Sequence, residues 1–125
     1  MKSRENLVRL KQFQVNEKRR QVAQFDLMIA EFERMAGDLE FQIAAEERRA
    51  GITDVNHFAY PTFAKAARQR RDNLKTSQAD LAAQRTTALS LLREAEAELS
   101  KAQLLESRDS RMRDTDPHGR GVMIG

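Results

Sequence analysis

The sequence predicts an all-α fold, a long antiparallel two-helix coiled-coil hairpin with a disordered C-terminal tail. Three observations carry that expectation. Two stretches of nearly equal length, Arg4 to Ala50 and Pro61 to Arg108, both read as heptad helix. The one serious break between them is GITDVNHFAYP, Gly51 to Pro61. Composition agrees: 33% of residues are charged, glycines number five and prolines two, and neither proline interrupts an arm. The expected boundaries are a hairpin over residues 1–108, with helix 1 at about 3–50, a tip loop at 51–61 and helix 2 at about 61–108, then a tail at 109–125.

The first arm has an apolar residue at every a position when Val8 is taken as a: Val15, Val22, Ile29, Ala36, Ile43 and Ala50 follow. Its d positions are mixed. Phe25, Phe32 and Leu39 fill the middle, but Lys11, Lys18 and Glu46 stand towards the ends. In the second arm the phase Ala67, Leu74, Leu81, Ala88, Ala95, Ala102 is apolar throughout. Its partner phase is expected at Arg70, Ser77, Gln84, Leu91, Glu98 and Leu105. Alanine is the best helix former and lets a neighbouring helix come close, which suits a narrow two-helix contact. At about 1.5 Å per residue each arm spans about 70 Å, so the expectation is a rod with little core and modest stability.

Folding the chain about residues 56 and 57 places positions whose numbers sum to roughly 113 opposite one another. The strong layers are then Leu39 with Leu74, Phe32 with Leu81, Phe25 with Ala88, Val22 with Leu91 and Val8 with Leu105. Ile29 with Gln84, Ala36 with Ser77 and Ile43 with Arg70 are weak ones. Charge supports the same alignment. The acidic stretch Glu31 to Glu47 falls beside Lys65, Arg68, Arg70, Arg71 and Lys75, and Glu94, Glu96 and Glu98 fall beside Lys18, Arg19 and Arg20. Exposed pairs contribute about 0–1 kcal/mol each, so they select alignment more than they stabilise.

Gly51 can end the first helix as a left-handed cap, Thr53 and Asp54 suit a short capped turn, and Pro61 suits the first turn of the second helix. His57, Phe58, Tyr60 and Phe63 crowd this tip, where a thin hairpin has no room to bury them all. They can pin the loop as a local cluster, or present an aromatic knob to a partner. Beyond Glu106 the seam stops, and SRDSRMRDTDPHGRGVMIG reads as a frayed end and disordered tail. Its glycines lack the flanking strand and helix of a nucleotide loop.

No run approaches the twenty or so apolar residues of a spanning helix, and no secretory apolar region follows the charged start, so a cytosolic protein is expected. The chain has no cysteine, and His57 and His118 lie far apart without metal-spaced carboxylates. No catalytic set and no cofactor or metal site is expected, and the chain is not expected to be an enzyme. The first twenty residues are locally basic through Lys2, Arg4, Arg9, Lys11, Lys18, Arg19 and Arg20 against Glu5 and Glu17. Either this is a solvated helix face, or it docks on an acidic partner. A nucleic-acid-binding rod is disfavoured because the net charge is only +3 and the aromatics lie elsewhere.

The opening MKSRENLVRLKQFQVNEKRRQVAQ, then FERMAGDLE, the tip GITDVNHFAYPTFAKAA and the start of the second arm RQRRDNL resemble short alphaproteobacterial members of the flagellar export protein FliJ family. The resemblance covers residues 1 to 106 and combines the motif strings with length and hairpin. It implies a non-catalytic part of the flagellar type III export apparatus, a coiled coil similar to the rotor stalk of rotary ATPases. Its terminal end would enter and help assemble the export ATPase ring, and another part would bind the cytoplasmic domain of the export gate. Export chaperones are implied as further partners. It further implies a monomer in the cytoplasm, reaching the inner membrane at the flagellar base through its partners. By position, Arg4, Arg9, Lys11, Lys18, Arg19 and Arg20 would face the ATPase, and Phe41, Phe58, Tyr60 and Phe63 the gate. Better-known members carry tyrosines on the first helix near the loop, and this arm has none. A structural coiled coil that self-associates is the alternative.

Overall fold

The computed structural model describes residues 2–115. They form two helices, α1 over Lys2–Ala50 and α2 over Thr62–Thr115, joined by the expected loop, and among the described residues there is no strand. The two helices pack as a hairpin. By contacts the chain divides into two compact units: α1 up to Val22 with the chain from Thr87 onward, and Ala23–Thr86 around the loop.

In the Ala23–Thr86 unit, Leu39, Ile43 and Ala67 form the buried cluster, with Leu74 packed against it. The expected Leu39–Leu74 layer is part of that cluster. Ala36 and Ala64 are buried as well. Polar contacts between the helices set the alignment: Arg71 and Lys75 approach Glu40 at 3.8 and 3.6 Å, Gln78 donates to Glu33 at 3.4 Å, and Arg85 pairs with Asp26. In the other unit Val15 is fully buried, with Val22, Ala88, Leu92 and Ala102 nearly so. There Arg4 meets Asp109 at 3.1 Å, Lys11 meets Glu98 at 3.7 Å and Arg19 meets Glu96 at 3.5 Å. In both units the pairing is antiparallel and falls within a few positions of a fold about residues 56 and 57.

The first-arm phase holds. Val15, Val22, Ala36 and Ile43 are buried at a, and of the d residues Leu39 is buried while Lys11, Lys18, Phe25, Phe32 and Glu46 are half-buried; only Ala50, the last a position, is exposed. The partner phase of the second arm differs from expectation by one residue. Arg70, Ser77, Gln84, Leu91 and Glu98 are exposed, and the inward set is Arg71, Gln78, Arg85, Leu92 and Leu99; at the end of the phase the expected Leu105 and its neighbour Glu106 are both half-buried. Leu92 is therefore the buried leucine, at 9% exposure, and Leu91, at 40%, is not opposite Val22 in a core layer. Stepping four residues from Ala67 to Arg71 and three to Leu74 keeps the apolar phase on the seam. Arginine and glutamine tolerate the alternate positions because their stems lie along the seam while their polar heads reach the carboxylates of α1.

The second helix also runs past its expected end, through 109–115 to Thr115. Nothing between Glu106 and Thr115 breaks a helix, since the first breaker is Pro117. Asp109 is tied to Arg4, and Arg113 donates to Ser110 at 3.3 Å. The expected disorder of 109–115 is thus replaced by helix, while the expectation for 116–125 lies outside the described residues.

The phase correction has a direct test: Leu92→Ala is expected to lower unfolding stability in urea by about 2–3 kcal/mol, and Leu91→Ala to change it by under about 0.5 kcal/mol. Gly51→Ala is expected to cost about 1 kcal/mol in the same measurement. That cost is conformational, because Gly51 has φ 72° and a Cβ there would meet no atom within 4 Å.

Candidate interaction surfaces

The tip is built from hydrogen bonds rather than from a core. At the end of α1 the carbonyl of Glu47 accepts from the amides of Gly51 at 2.8 Å and Ile52 at 3.2 Å, the left-handed glycine cap that the sequence suggests. Asp54 Oδ1 accepts from the Asn56 amide at 2.9 Å, and its carbonyl accepts from His57 N at 3.1 Å, closing a turn. His57 then accepts twice, at Nδ1 from Ala59 N and at its carbonyl from Tyr60 N, both at 3.0 Å. Pro61 starts the second helix by accepting from Lys65 N at 3.0 Å.

Beneath this loop lies a three-residue clamp. The Tyr60 hydroxyl donates to Glu47 Oε2 at 2.7 Å and accepts from Arg68 Nε at 2.9 Å, and Arg68 also reaches Glu47 Oε2 at 3.0 Å. The guanidinium carbon stands 6.0 Å from the Tyr60 ring centroid, a cation–π distance. The hydrogen bond from Tyr60, with that from Arg68, holds the Glu47 carboxyl below its ordinary value. Burial, and then the bond to Glu47, push the Tyr60 hydroxyl up. The bonds to Tyr60 and Glu47 raise Arg68 further.

Four rings were expected to face the export gate at or near this tip, and the structure separates them. Phe41, Phe58 and Phe63 are exposed, Phe58 at 96% and stacked on His57 with centroids 4.7 Å apart. Tyr60 is not a surface ring: it is buried and its hydroxyl is engaged by the clamp. Of the tip rings, Tyr60 pins the loop through Glu47 and Arg68, while Phe58 and Phe63 stay exposed. The signal for Tyr60 is present in the sequence, since the inward phase of α2 traced backward from Ala67 passes Ala64 and arrives at Tyr60. Glu47 and Arg68 were not singled out as a pair with it, because their link depends on the loop path.

The basic set at the other end of the chain is also divided. Arg4, Lys11 and Arg19 are matched by Asp109, Glu98 and Glu96 of α2, and Arg20 by Glu17 on its own helix. Arg9 and Lys18 make no ion pair among the described residues. The locally positive face is therefore narrower than the count of basic residues suggests. Asp109 Oδ2 is buried without a hydrogen-bond partner, its approach to Arg4 lacking donor alignment. Two exposed apolar residues missed in the sequence reading, Leu10 and Phe13, follow Arg9 on the outward side of α1. Their three-residue spacing, off the a and d positions, is the signal that marks them.

A shallow groove of about 190 Å³ runs along Met35, Asp38, Leu39, Gln42, Arg70 and Leu74. Among the described residues there is no group of three or more histidine, cysteine, aspartate or glutamate residues able to hold a metal ion. No described helix is long and apolar enough to cross a membrane. Comparison with protein-family models, with curated proteins and with solved structures finds no match.

The clamp carries a pH signature. Glu47 lies below 4.5 in the folded chain, so its contribution is complete above that pH and is lost as pH falls through the lowered value. Tyr60 lies above 10.0, so its contribution is complete below that pH and is lost as pH rises beyond it. Chemical denaturation across pH should show Tyr60→Phe about 1 kcal/mol less stable near neutrality, with a weaker alkaline decline, and Glu47→Gln with a weaker acid decline.

Proposed function

We propose that this chain is a non-catalytic component of the flagellar type III export apparatus, a stalk-like helical hairpin that promotes assembly of the export ATPase ring. It would connect that ring with the cytoplasmic domain of the export gate and with export chaperones. One observation carries the reading: the strings MKSRENLVRLKQFQVNEKRRQVAQ, FERMAGDLE, GITDVNHFAYPTFAKAA and RQRRDNL, which resemble the FliJ family, lie on a hairpin of two long helices. The reading places the protein in the cytoplasm at the flagellar base.

In this proposal the ATPase contact centres on Arg9 and Lys18, with Leu10 and Phe13 as apolar contacts. Cations already paired within the hairpin would have to surrender a carboxylate before binding another, whereas Arg9 and Lys18 carry no such cost. Arg4, Lys11 and Arg19 are assigned to alignment of the two helices, and Arg20 is held by Glu17 on its own helix. For the gate, the exposed rings Phe41 and Phe63 near the loop remain as contacts, and the buried Tyr60 is withdrawn.

The test measures hydrolysis rate and oligomeric state of the same organism's flagellar export ATPase with and without this protein. Stimulation with ring formation is expected. Arg9→Glu with Lys18→Glu should lower the apparent affinity about tenfold or more while leaving helicity unchanged, since rim charges act on encounter and register. Absence of binding and stimulation by the unaltered chain would refute the export reading.

A further inference from the structure

We propose that the loop end of the Ala23–Thr86 unit docks reversibly on an anionic lipid surface, with Phe58 as the side chain that enters it. This goes beyond the export reading, in which membrane association comes only through protein partners.

The first ground is how Phe58 is held. Its ring is 96% exposed, yet the loop around it is closed by hydrogen bonds at Gly51, Ile52, Asn56, His57, Ala59 and Tyr60. The same clamp that turns Tyr60 inward leaves Phe58 outward, flanked by the His57 imidazole. A ring fixed in the open position loses little conformational freedom on insertion, which favours binding. Val55 in the loop and Phe63 in the first turn of α2 add exposed apolar surface.

The second ground is the balance of charge. Two carboxylates of this segment are ion-paired, Glu46 with Arg49 at 2.8 Å and Glu47 with Arg68, whereas Asp54 accepts only from the Asn56 amide and keeps its charge. Arg48 and Lys65, either side of the loop, and Arg70 farther along α2 are exposed and make no ion pair among the described residues. Arg48, Lys65 and Arg70 outnumber the one carboxylate without a cationic partner, Asp54, and exposed apolar rings with this net positive collar complement a surface that is anionic outside and apolar just beneath. A protein pocket would serve only if its concavity matched this protruding ring, whereas a bilayer imposes no such demand. One ring and a few cations give weaker attachment than a single acyl chain, so docking is reversible and sensitive to salt.

The chain has no tryptophan, so Phe58→Trp in the full-length protein creates a single reporter at the site. With vesicles of equal parts phosphatidylcholine and phosphatidylglycerol, its emission should shift to the blue. With phosphatidylcholine alone, or in about 1 M salt where the screening length is about 3 Å, it should not. Co-sedimentation of the chain should fall about tenfold with Phe58→Ser, and about fivefold for each of Arg48→Gln and Lys65→Gln, with helicity retained. Three results would overturn the proposal: no association with anionic vesicles, association without a blue shift, which would assign binding to the basic residues near the N-terminus, or a shift produced by a protein partner but never by vesicles. None of these bears on ATPase stimulation, so the two readings fail separately.

Discussion

Alanine at the inward positions of the second helix is the constraint from which most of the structure follows. Ala64, Ala67, Ala88 and Ala102 are buried, and they let α1 approach closely while contributing little apolar area themselves. The burden of apolar contact falls on α1, through Val15, Val22, Leu39 and Ile43. With so thin a contact, the positions beside the alanines cannot be filled by bulky apolar residues alone. Arg71, Gln78 and Arg85 take them, laying aliphatic stems over the seam and delivering their polar heads to Glu40, Glu33 and Asp26. Polar pairing is thereby placed where it fixes register, the property a narrow apolar seam specifies least.

The loop meets the same shortage differently. There is not enough apolar partner surface to bury four rings, so one ring is buried with a polar handle and the others are left out. Tyrosine is the ring suited to the buried place, because Glu47 and Arg68 satisfy its hydroxyl from both sides, one accepting and one donating. A phenylalanine there would leave that charged pair without its bridge. Arg68 gains twice, from the carboxylate and from the face of the ring, so the clamp joins the last turns of α1 to the first turns of α2 without a hydrophobic layer.

The parts legible in the sequence are those fixed by unambiguous residue types. The a positions of α1 are all apolar, and no other heptad phase of that arm is. Gly51 is the sole glycine near the break and has the conformation that glycine tolerates best. The second arm is less legible because its competing phases are chemically near-equivalent: Arg70 stands beside Arg71, Gln84 beside Arg85, and Leu91 beside Leu92. Apolar counting cannot choose between such neighbours; the reach of each side chain to the acidic residues of α1 decides. The end of α2 was read too early for a related reason. Loss of apolar periodicity after Glu106 ends the hydrophobic seam, but a helix continues as long as residues tolerate it and an ion pair such as Arg4 with Asp109 holds it.

Charge sorts the remaining surface. A cation matched across the hairpin serves alignment, and recruiting it to a partner means breaking a contact already made. A cation without such a match can bind at lower cost. By that criterion Arg4, Lys11, Arg19, Arg68, Arg71, Lys75 and Arg85 belong to the fold. Among the described residues Arg9 and Lys18, with Lys2, Arg93 and Arg108, in one unit, and Arg48, Lys65 and Arg70 in the other, make no ion pair, and of these Arg9, Lys18, Arg48 and Lys65 serve the proposed contacts. Exposed rings accompany each group, Phe13 the first and Phe58 and Phe63 the second. Recognition on so polar a molecule requires this pairing, because cations alone would bind any acidic surface and rings alone would invite self-association. In the proposed contacts the combination would select partners that are anionic and apolar within a few ångströms, which is a narrower class than either property defines.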